Sequence, residues 1–433
     1  MMKRMGQDYH GTTGRPPAAS SHAAIAHLSA EAGAALATFR RYVAWLREDA
    51  FPVWRRAGFD TGTGLFFEKL TLAGRPDRNA ELRLRTHMRQ VYSFAHGAAL
   101  GLVPAADAVP LAVRALETIT AVGWHPDGRP GWVHRLAQDG AVVDNRRDLY
   151  DHAFALLALA HVFAVTHDPR IERLIGATLA TIDHTLAAPN GGWAESDRHE
   201  LPRRQNPHMH LFEASLALYE ITGEPAHLAR ASSIFDLFRQ RFFDPRHRVI
   251  REYFGLDWRI GPEFRSGRIE PGHLVEWVWL LRRYARSAPV EAMGGDVAGL
   301  CATLLASAER LGLHDNFLVD ETDLAGRATV DGRRLWPQTE HIKAHLVQWE
   351  ATGDEAHLVR AGGIVARLFE TYLAGPKAGL WYDRFTLDGR VAVDHVPASI
   401  LYHLLVPAAE MMRLGLAADG PPVRAADPHR RRA

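Results

Sequence analysis

The amino-acid sequence predicts an all-α protein, an (α/α)6 barrel or toroid with short β-hairpins on one rim. From residue 22 onward, long helical patterns of apolar residues alternate with short breaks marked by Gly, Asp and Trp. Almost no stretch shows the period-two alternation of a sustained β-strand. A repeated helical unit and a set of helices that are apolar nearly all round support the same prediction.

The repeated unit is visible in three segments, AVTHDPRIERLIGATLATIDHTLAAP, EITGEPAHLARASSIFDLFRQRFFDP and EATGDEAHLVRAGGIVARLFETYLAGP. In each segment an acidic residue precedes an amphipathic helix that ends at Gly or Pro. The equivalent residues Asp168, Glu224 and Asp354 are 56 and 130 positions apart, which indicates a unit of about 55 to 65 residues. Some six helical hairpins of this length fit between residues 22 and 416, the number that closes a toroid. An open helical solenoid would show the same period.

Two segments predict β-hairpins between helices, GWVHRLAQDGAVVD and LWYDRFTLDGRVAVD. Each has a Trp seven residues before an Asp-Gly pair, and Asp-Gly favours a tight hairpin turn. A third segment, ATVDGRRLWPQ, has the same turn chemistry. We expect these segments to lie on one rim of the barrel and to wall a cleft there.

Composition limits the domain organisation and the partners. The chain of 433 residues has 51 Lys and Arg against 50 Asp and Glu, so it lacks the basic surface typical of nucleic-acid binding. Its single cysteine, Cys301, excludes a disulfide framework and a thiolate metal site. Residues 1–22 and 417–433 are predicted to be disordered tails, which leaves residues 23–416 as a single barrel domain.

The same sequence predicts no membrane association. No apolar segment of a signal peptide follows the basic N-terminal residues, and about eighteen uncharged apolar residues never run together. We therefore expect a cytoplasmic protein that is a monomer or a homodimer and binds a small molecule.

The candidate functional residues follow the starts of the most apolar helices. Four such helices are predicted to begin near a proline, which is favoured in the first turn: Pro207, Pro271, Pro337 and Pro397. Titratable groups follow within two turns, namely His210, His273, Glu276, Glu340 and His403. If alternate helices form an inner ring, their N-termini meet at one end, and these groups converge on one pocket. Burial and the helix dipole are expected to keep such a histidine neutral and able to act as a general base.

Several neighbours of these groups are further candidates. Asn206 is expected to cap its helix, and Glu276 lies three residues after His273, close enough to orient the imidazole. Arg89 on another apolar helix is either a substrate ligand or half of a buried ion pair. Tryptophans near turn signals predict sugar-stacking walls or hairpin anchors: Trp132, Trp193, Trp336 and Trp381.

No metal or other cofactor is expected from the motifs. The sequence has no HExxH, and the pair His208 and His210 has a spacing that a helix directs to different faces. A Walker loop, a GxGxxG after a strand and a serine-hydrolase elbow are also missing from the sequence.

The segments MRQVYSF, NPHMHLFEA, EPGHLVEW, RLWPQTEH and LYHLL resemble motifs of the N-acylglucosamine 2-epimerase superfamily, which includes cellobiose 2-epimerases, D-mannose isomerases and sulfoquinovose isomerases. The resemblance extends from about Phe39 to Leu414. It implies an (α/α)6 barrel and a cofactor-free sugar isomerase or epimerase. It also implies catalytic roles for His273 and His403, with substrate contacts by Arg89, Asn206, His210, Glu276, Trp336 and Glu340; Trp381 is added as a wall of the cleft. His395 in DHVPAS resembles a His-Val-Pro form of the acylglucosamine epimerases and is the alternative to His403.

Within this superfamily the pattern is most similar to D-mannose isomerases, which implies interconversion of D-mannose and D-fructose through a cis-enediolate. A 2-epimerase of an unphosphorylated aldose, an N-acylglucosamine or a cellobiose-type disaccharide is the alternative. An inverting glycoside hydrolase, which would rely on a carboxylic acid and base pair, and a non-catalytic helical scaffold are alternatives from other classes.

Overall fold

The structure, a computed structural model, describes residue 25 and residues 27–289 and 296–417. The tails that were predicted to be disordered lie outside the described residues, except for Ala417. Within the described residues the chain forms twelve long helices joined by short strands and loops. Their bounds are α1 Ala30–Trp45, which continues through a π-helical turn, Leu46–Ala50, and a short helix, Phe51–Ala57; α2 Leu84–Ala99; α3 Ala105–Gly123; α4 Leu149–Thr166; α5 Pro169–Thr185; α6 Gln205–Thr222; α7 Pro225–Leu237; α8 Pro271–Ser287; α9 Val297–Gly312; α10 Leu335–Thr352; α11 Ala356–Glu370; and α12 Ile400–Arg413.

The even-numbered helices form a closed inner ring. Each packs on the next one, and α12 packs against α2 and closes the circle. The odd-numbered helices pack on the outside of this ring. Because the inner helices touch neighbours on both flanks and an outer helix behind, they bury apolar residues nearly all round. The predicted (α/α)6 barrel is thus confirmed, and the open solenoid is not observed.

Local sequence signals set the ends of these helices. Asp148 caps α4 by accepting hydrogen bonds from the backbone N–H groups of Tyr150 and Asp151. The inner helices α6 and α10 end at Gly223 and Gly353, each with φ of +73°, a conformation that glycine adopts without strain. These stops turn the chain back toward the outer ring.

Short antiparallel strand pairs lie between an outer helix and the next inner helix. Their bounds are β1 Phe59–Asp60, β2 Leu65–Phe66, β3 Lys69–Thr71, β4 Leu82–Arg83, β5 Arg135–Leu136, β6 Val142–Asp144, β7 Arg203–Arg204, β8 Phe243–Asp244, β9 Val249–Ile250, β10 Tyr253–Phe254, β11 Leu313–His314, β12 Phe317–Leu318, β13 Arg333–Arg334, β14 Arg384–Phe385 and β15 His395–Pro397. Since β4, β7 and β13 run directly into α2, α6 and α10, these strands lie at the end of the barrel where the inner helices begin.

The predicted hairpins are confirmed in one case and corrected in two. The segment from Gly131 forms the pair β5 and β6. The segment from Leu380 closes only with an isolated bridge between Phe385 and Val391. Its strand β14 pairs instead with β13, which belongs to the third Asp-Gly segment. The two segments therefore build one shared pair at the start of α10, where the backbone N–H of Leu335 donates to the carbonyl of Asp383.

By length and composition, one helix within the described residues, α4, could cross a membrane. It belongs to the inner ring of the barrel, where its apolar faces are covered by α2 and α6. Because α4 contains Asp151, His152 and His161, it is not a run of uncharged apolar residues, and the sequence expectation stays a prediction.

Candidate active site

A cavity of about 400 Å³ opens at the end of the barrel where the inner helices begin. All six inner helices contribute to its lining, in chain order through Arg89, Tyr150, His210, His273, Trp336 and His403. Asn206 and Glu276 line the same cavity. The convergence expected from the helix starts is therefore present in the fold.

His403 has the environment of a neutral base. Its Nδ1 lies 2.9 Å from Oε1 of Glu340, which leaves Nε2 for the cavity. Burial and the nearby charges of Arg89 and Lys343 hold the pKa of His403 well below its usual value. The imidazole is therefore uncharged at neutral pH and can accept a proton.

Glu340 does not line the cavity but lies behind His403. It is fully buried and forms an ion pair with the ammonium group of Lys343, one turn further along α10. Burial and the charge of Glu276 raise the pKa of Glu340 well above its usual value, whereas Lys343 opposes this rise. We assign the carboxylate as ionised, because its protonation would leave the buried ammonium without a counter-charge. An ionised Glu340 accepts the Nδ1–H of His403 and fixes the tautomer.

His273 has the opposite environment. Its Nδ1 lies 2.9 Å from the carboxylate of Glu252, and Glu270 is 3.8 Å away. Burial opposes a charge on this ring, but the two carboxylates prevail and raise the pKa of His273 to about 9. The sequence prediction of a neutral histidine at this helix start is wrong for His273, because these carboxylates outweigh burial.

Asn206 fits a charged His273. Its amide lies 3.1 Å from Nε2 of His273 with the NH2 group facing the ring, while Asn206 Oδ1 is buried without a partner. Turning the amide by 180° lets the Nε2–H of the imidazolium donate to Oδ1 and satisfies both atoms. Asn206 does not cap α6, whose N-cap residue is Arg204.

Trp336 separates the two histidines. The centroid of its indole lies 5.2 Å from that of His273 and 5.7 Å from that of His403. A protonated and a neutral imidazole therefore flank one aromatic wall of the same cavity.

Arg89 supplies a positive charge inside the cavity. Its Nη2 donates to the hydroxyl of Tyr150 at 2.8 Å, and its guanidinium lies 4.1 Å from the centroid of Phe154. Within the described residues no carboxylate lies within 4.0 Å of it, so the alternative of a buried ion pair is not observed. Held by aromatic rings, this cation remains available to an oxygen of a ligand.

His210 presents an acceptor to the cavity. Its Nδ1 lies 3.0 Å from Glu213, which also accepts a hydrogen bond from the hydroxyl of Tyr402 at 2.6 Å. Despite burial, these partners lower the pKa of Glu213, so the carboxylate is ionised and His210 Nδ1 must donate. Burial lowers the pKa of His210, which leaves Nε2 with a lone pair. Glu276 lies beside this pair, and its Oε1 has no partner within the described chain.

Two sequence candidates have other places. Trp381 is fully buried away from the cavity and stacks on Trp54 with centroids 5.2 Å apart. It is an anchor of its loop, and its assignment as a wall of the cleft is corrected. His395 lies at the rim of the cavity, where its side chain is 36% exposed and contacts Asp394.

The proline pattern holds only roughly: Pro271 is the first residue of α8, Pro207 and Pro337 are the third residues of α6 and α10, and Pro397 ends β15.

Sequence reasoning missed Glu252, Glu213 and Lys343. Glu213 follows His210 by three residues, the same spacing that singled out Glu276 after His273, so its signal was available. Lys343 follows Glu340 by three residues in the same way. Glu252 carries no such signal, because it lies between β9 and β10 and reaches His273 only through the fold.

Comparisons with known proteins identify the family of the chain. The model of the N-acylglucosamine 2-epimerase (GlcNAc 2-epimerase) family matches residues 64–407. The chain belongs to this family. It is 35% identical over 387 residues to the mannose-6-phosphate isomerase of Rhizobium meliloti, and the aligned region covers 85% of this chain and 95% of the relative. The D-mannose isomerase of Thermobifida fusca is 28% identical to this chain, and the aligned region covers 65% of this chain and 72% of that isomerase.

The fold of the family is also seen in a crystal structure of a D-mannose isomerase. It superposes with a TM-score of 0.76 over 87% of this chain and 97% of the other, at 19% identity. Membership of the family makes the protein a sugar isomerase or epimerase. The cavity has the groups that this chemistry needs: a neutral imidazole, a charged imidazole and a guanidinium.

Proposed function

We propose that this protein is an aldose-ketose isomerase that interconverts D-mannose and D-fructose. The proposal depends on one observation. His273 and His403 flank Trp336 in one cavity, and their environments drive their pKa values in opposite directions. Such a split assigns an acid and a base at neutral pH.

The catalytic cycle follows from these charges. The His273 imidazolium turns its Nε2–H from Asn206 to the ring oxygen and donates this proton as the C1–O5 bond breaks. Its Nε2 then takes the proton that the C1 hydroxyl loses, which gives the open-chain aldehyde and restores the imidazolium. Neutral His403 then takes the proton on C2, and the electron pair forms a cis-enediolate. Arg89 stabilises the negative charge on its oxygens. Transfer of the O2 proton to O1 and return of the proton from His403 to C1 then give the ketose.

His210 contacts the sugar, as the resemblance implies, and it does so as a hydrogen-bond acceptor. A neutral His210 whose Nδ1–H points to Glu213 has no proton to offer to an oxyanion. It accepts a hydrogen bond from a sugar hydroxyl, and the carboxylate of Glu276 accepts another. These contacts orient the sugar, and the charge stabilisation is left to Arg89.

The charges of the cavity favour an unphosphorylated sugar. Three arginines of the lining are already paired with carboxylates: Arg83 with Glu68, Arg85 with Asp151 and Arg334 with Asp320. Of the lining arginines, Arg89 alone has no carboxylate partner within the described residues, and it lies against Tyr150 and Phe154. A phosphate group is bound most strongly by Arg or Lys side chains that are not already paired, so we propose D-mannose over the 6-phosphate that the name of the Rhizobium relative indicates.

One incubation separates isomerase from epimerase. With D-mannose in D2O, we expect NMR to show fructose with deuterium at C1. Glucose with deuterium at C2 as the main product would instead establish the alternative, a 2-epimerase. The same assay with D-mannose 6-phosphate tests the charge argument, and a higher kcat/KM for the phosphate would overturn it.

A glycoside hydrolase would need a carboxylic acid and a carboxylate on opposite sides of the bound sugar. Glu340 is fully buried behind His403, so Glu276 and Glu340 do not form such a pair. Membership of a family of sugar isomerases and epimerases also argues against a glycoside hydrolase.

A further inference from the structure

A second cluster of histidines lies outside the barrel cavity, between α9, α10 and α11. His341 and His345 are one turn apart on α10, Glu309 approaches from α9 and His357 from α11. None of these residues lines the cavity. The reaction proposed above makes no use of them.

Three atoms of this cluster form a nearly equilateral triangle. Nε2 of His341 lies 3.1 Å from Nε2 of His345, and both nitrogens lie 3.3 Å from Oε1 of Glu309. Ligands at 2.0–2.1 Å from a tetrahedral zinc ion are separated by about 3.3 Å. The triangle therefore has the size of one face of a zinc coordination tetrahedron.

Hydrogen bonds alone do not account for the triangle. If both imidazoles donate to Glu309, the two nitrogens face each other at 3.1 Å without an acceptor between them. If one imidazole donates to the other, one contact with Glu309 lacks a hydrogen. A cation above the triangle accepts all three lone pairs at once.

The surroundings favour the protonation states that bind metal. Burial lowers the pKa of His341 and lowers that of His345 to about 3, so both rings are neutral. Metal ions bind these deprotonated forms.

His357 completes the arrangement. Its Nδ1 lies 2.9 Å from Nδ1 of His345, and a hydrogen donated by His345 to His357 leaves the lone pair on Nε2 of His345. Outer partners of this kind orient metal-bound histidines. Arg360 contacts the same oxygen of Glu309 at 3.0 Å, but its side chain is 59% exposed and can turn into solvent.

We propose that Glu309, His341 and His345 form a binding site for a divalent transition-metal ion of the zinc type, separate from the active site. The ion would join an outer helix to an inner helix, and the fourth ligand would be water, since the Glu309 side chain is 22% exposed. Two imidazoles and a carboxylate suit zinc better than magnesium or calcium. The four-residue spacing of the histidines is visible in the sequence but lacks the glutamate of HExxH.

The test uses the full-length protein without an affinity tag, treated with a chelator and dialysed. Titration calorimetry with zinc sulfate should show one equivalent bound by the wild type, with a rise in the melting temperature. The variant His341→Gln/His345→Gln should lose this equivalent, and Glu309→Gln should bind at least tenfold more weakly. His314→Gln, at an exposed histidine of the same region, should bind as the wild type does.

Two outcomes overturn the proposal. One is the absence of saturable zinc binding by the wild type. The other is equal affinity of the wild type and the double histidine variant, which would place the zinc at the histidines and carboxylates of the active site. Circular dichroism of each variant shows whether it is folded, and Glu309→Gln, at a partly exposed position, provides the test if the double variant is not.

Discussion

The Nδ1 atom of His403 lies 2.9 Å from Oε1 of Glu340, and the other oxygen of that carboxylate contacts Lys343. The three side chains form a line from the cavity into the wall of the barrel. His403 touches the substrate in our mechanism, whereas Glu340 and Lys343 act through it. This arrangement leads to the first two predictions.

Replacement of His403 by Asn should lower kcat by about 10²- to 10⁴-fold, because the base that takes the C2 proton is lost. The measurement is the steady-state rate of fructose formation from D-mannose. His395→Asn is the matched control and should retain wild-type rates. If His395→Asn loses activity and His403→Asn keeps wild-type rates, the base is His395 at the rim.

Replacement of Lys343 by Met should lower kcat and also the free energy of unfolding. Without the ammonium, Glu340 takes up a proton and can donate to Nδ1 of His403, which places the imidazole hydrogen on the catalytic nitrogen. Loss of one partner of a buried ion pair costs about 3–5 kcal/mol, measurable by urea unfolding. The double variant Lys343→Met/Glu340→Gln should regain part of the stability but not the rate. Full stability of the single variant would contradict the assigned charges.

The pH profile should reflect His273. Its pKa is raised to about 9, and the mechanism needs its charged form, so kcat/KM should fall as pH rises through about 9. His403 must be neutral, and its lowered pKa places the acidic limb well below pH 6.5. Glu252→Gln removes a carboxylate that raises the pKa of His273 and should move the alkaline limb to lower pH. The control Glu117→Gln, on the outer surface, should leave the alkaline limb at the wild-type pH. If Glu252→Gln also leaves the alkaline limb unmoved, His273 is not the acid.

Trp381 and Trp336 should respond differently to truncation. Trp381→Ala removes a buried ring that stacks on Trp54 and should cost about 3–5 kcal/mol of unfolding free energy, while kcat and KM of the folded enzyme stay near wild type. Trp336→Ala should raise KM because it removes a wall of the cavity. Val391→Ala, an exposed position of the same loop, is the control for stability. A raised KM of the Trp381→Ala variant would show that Trp381 lines the cavity after all.

The amino-acid sequence by itself determined the helical repeat and most of the cavity lining, whereas closure of the ring came from the tertiary structure, because an open solenoid has the same period. The repeat length and the all-round apolar helices predict an inner ring, and a ring brings helix starts such as those before His210 and His273 to one end. Residue types at those starts then predict a polar pocket. Trp381 was misplaced because a tryptophan beside a turn has the same local pattern whether it anchors a loop or lines a cleft.

Only the tertiary structure decided which histidine is charged. His273 and His403 occupy similar positions at the starts of buried helices, and local reasoning made both neutral. Glu252, from the connection between β9 and β10, reverses this for His273, whereas Glu340 and Lys343 on α10 hold His403 uncharged. The physical reason is that a pKa depends on burial and on charges within a few ångströms, and those charges come from segments that are distant in the chain.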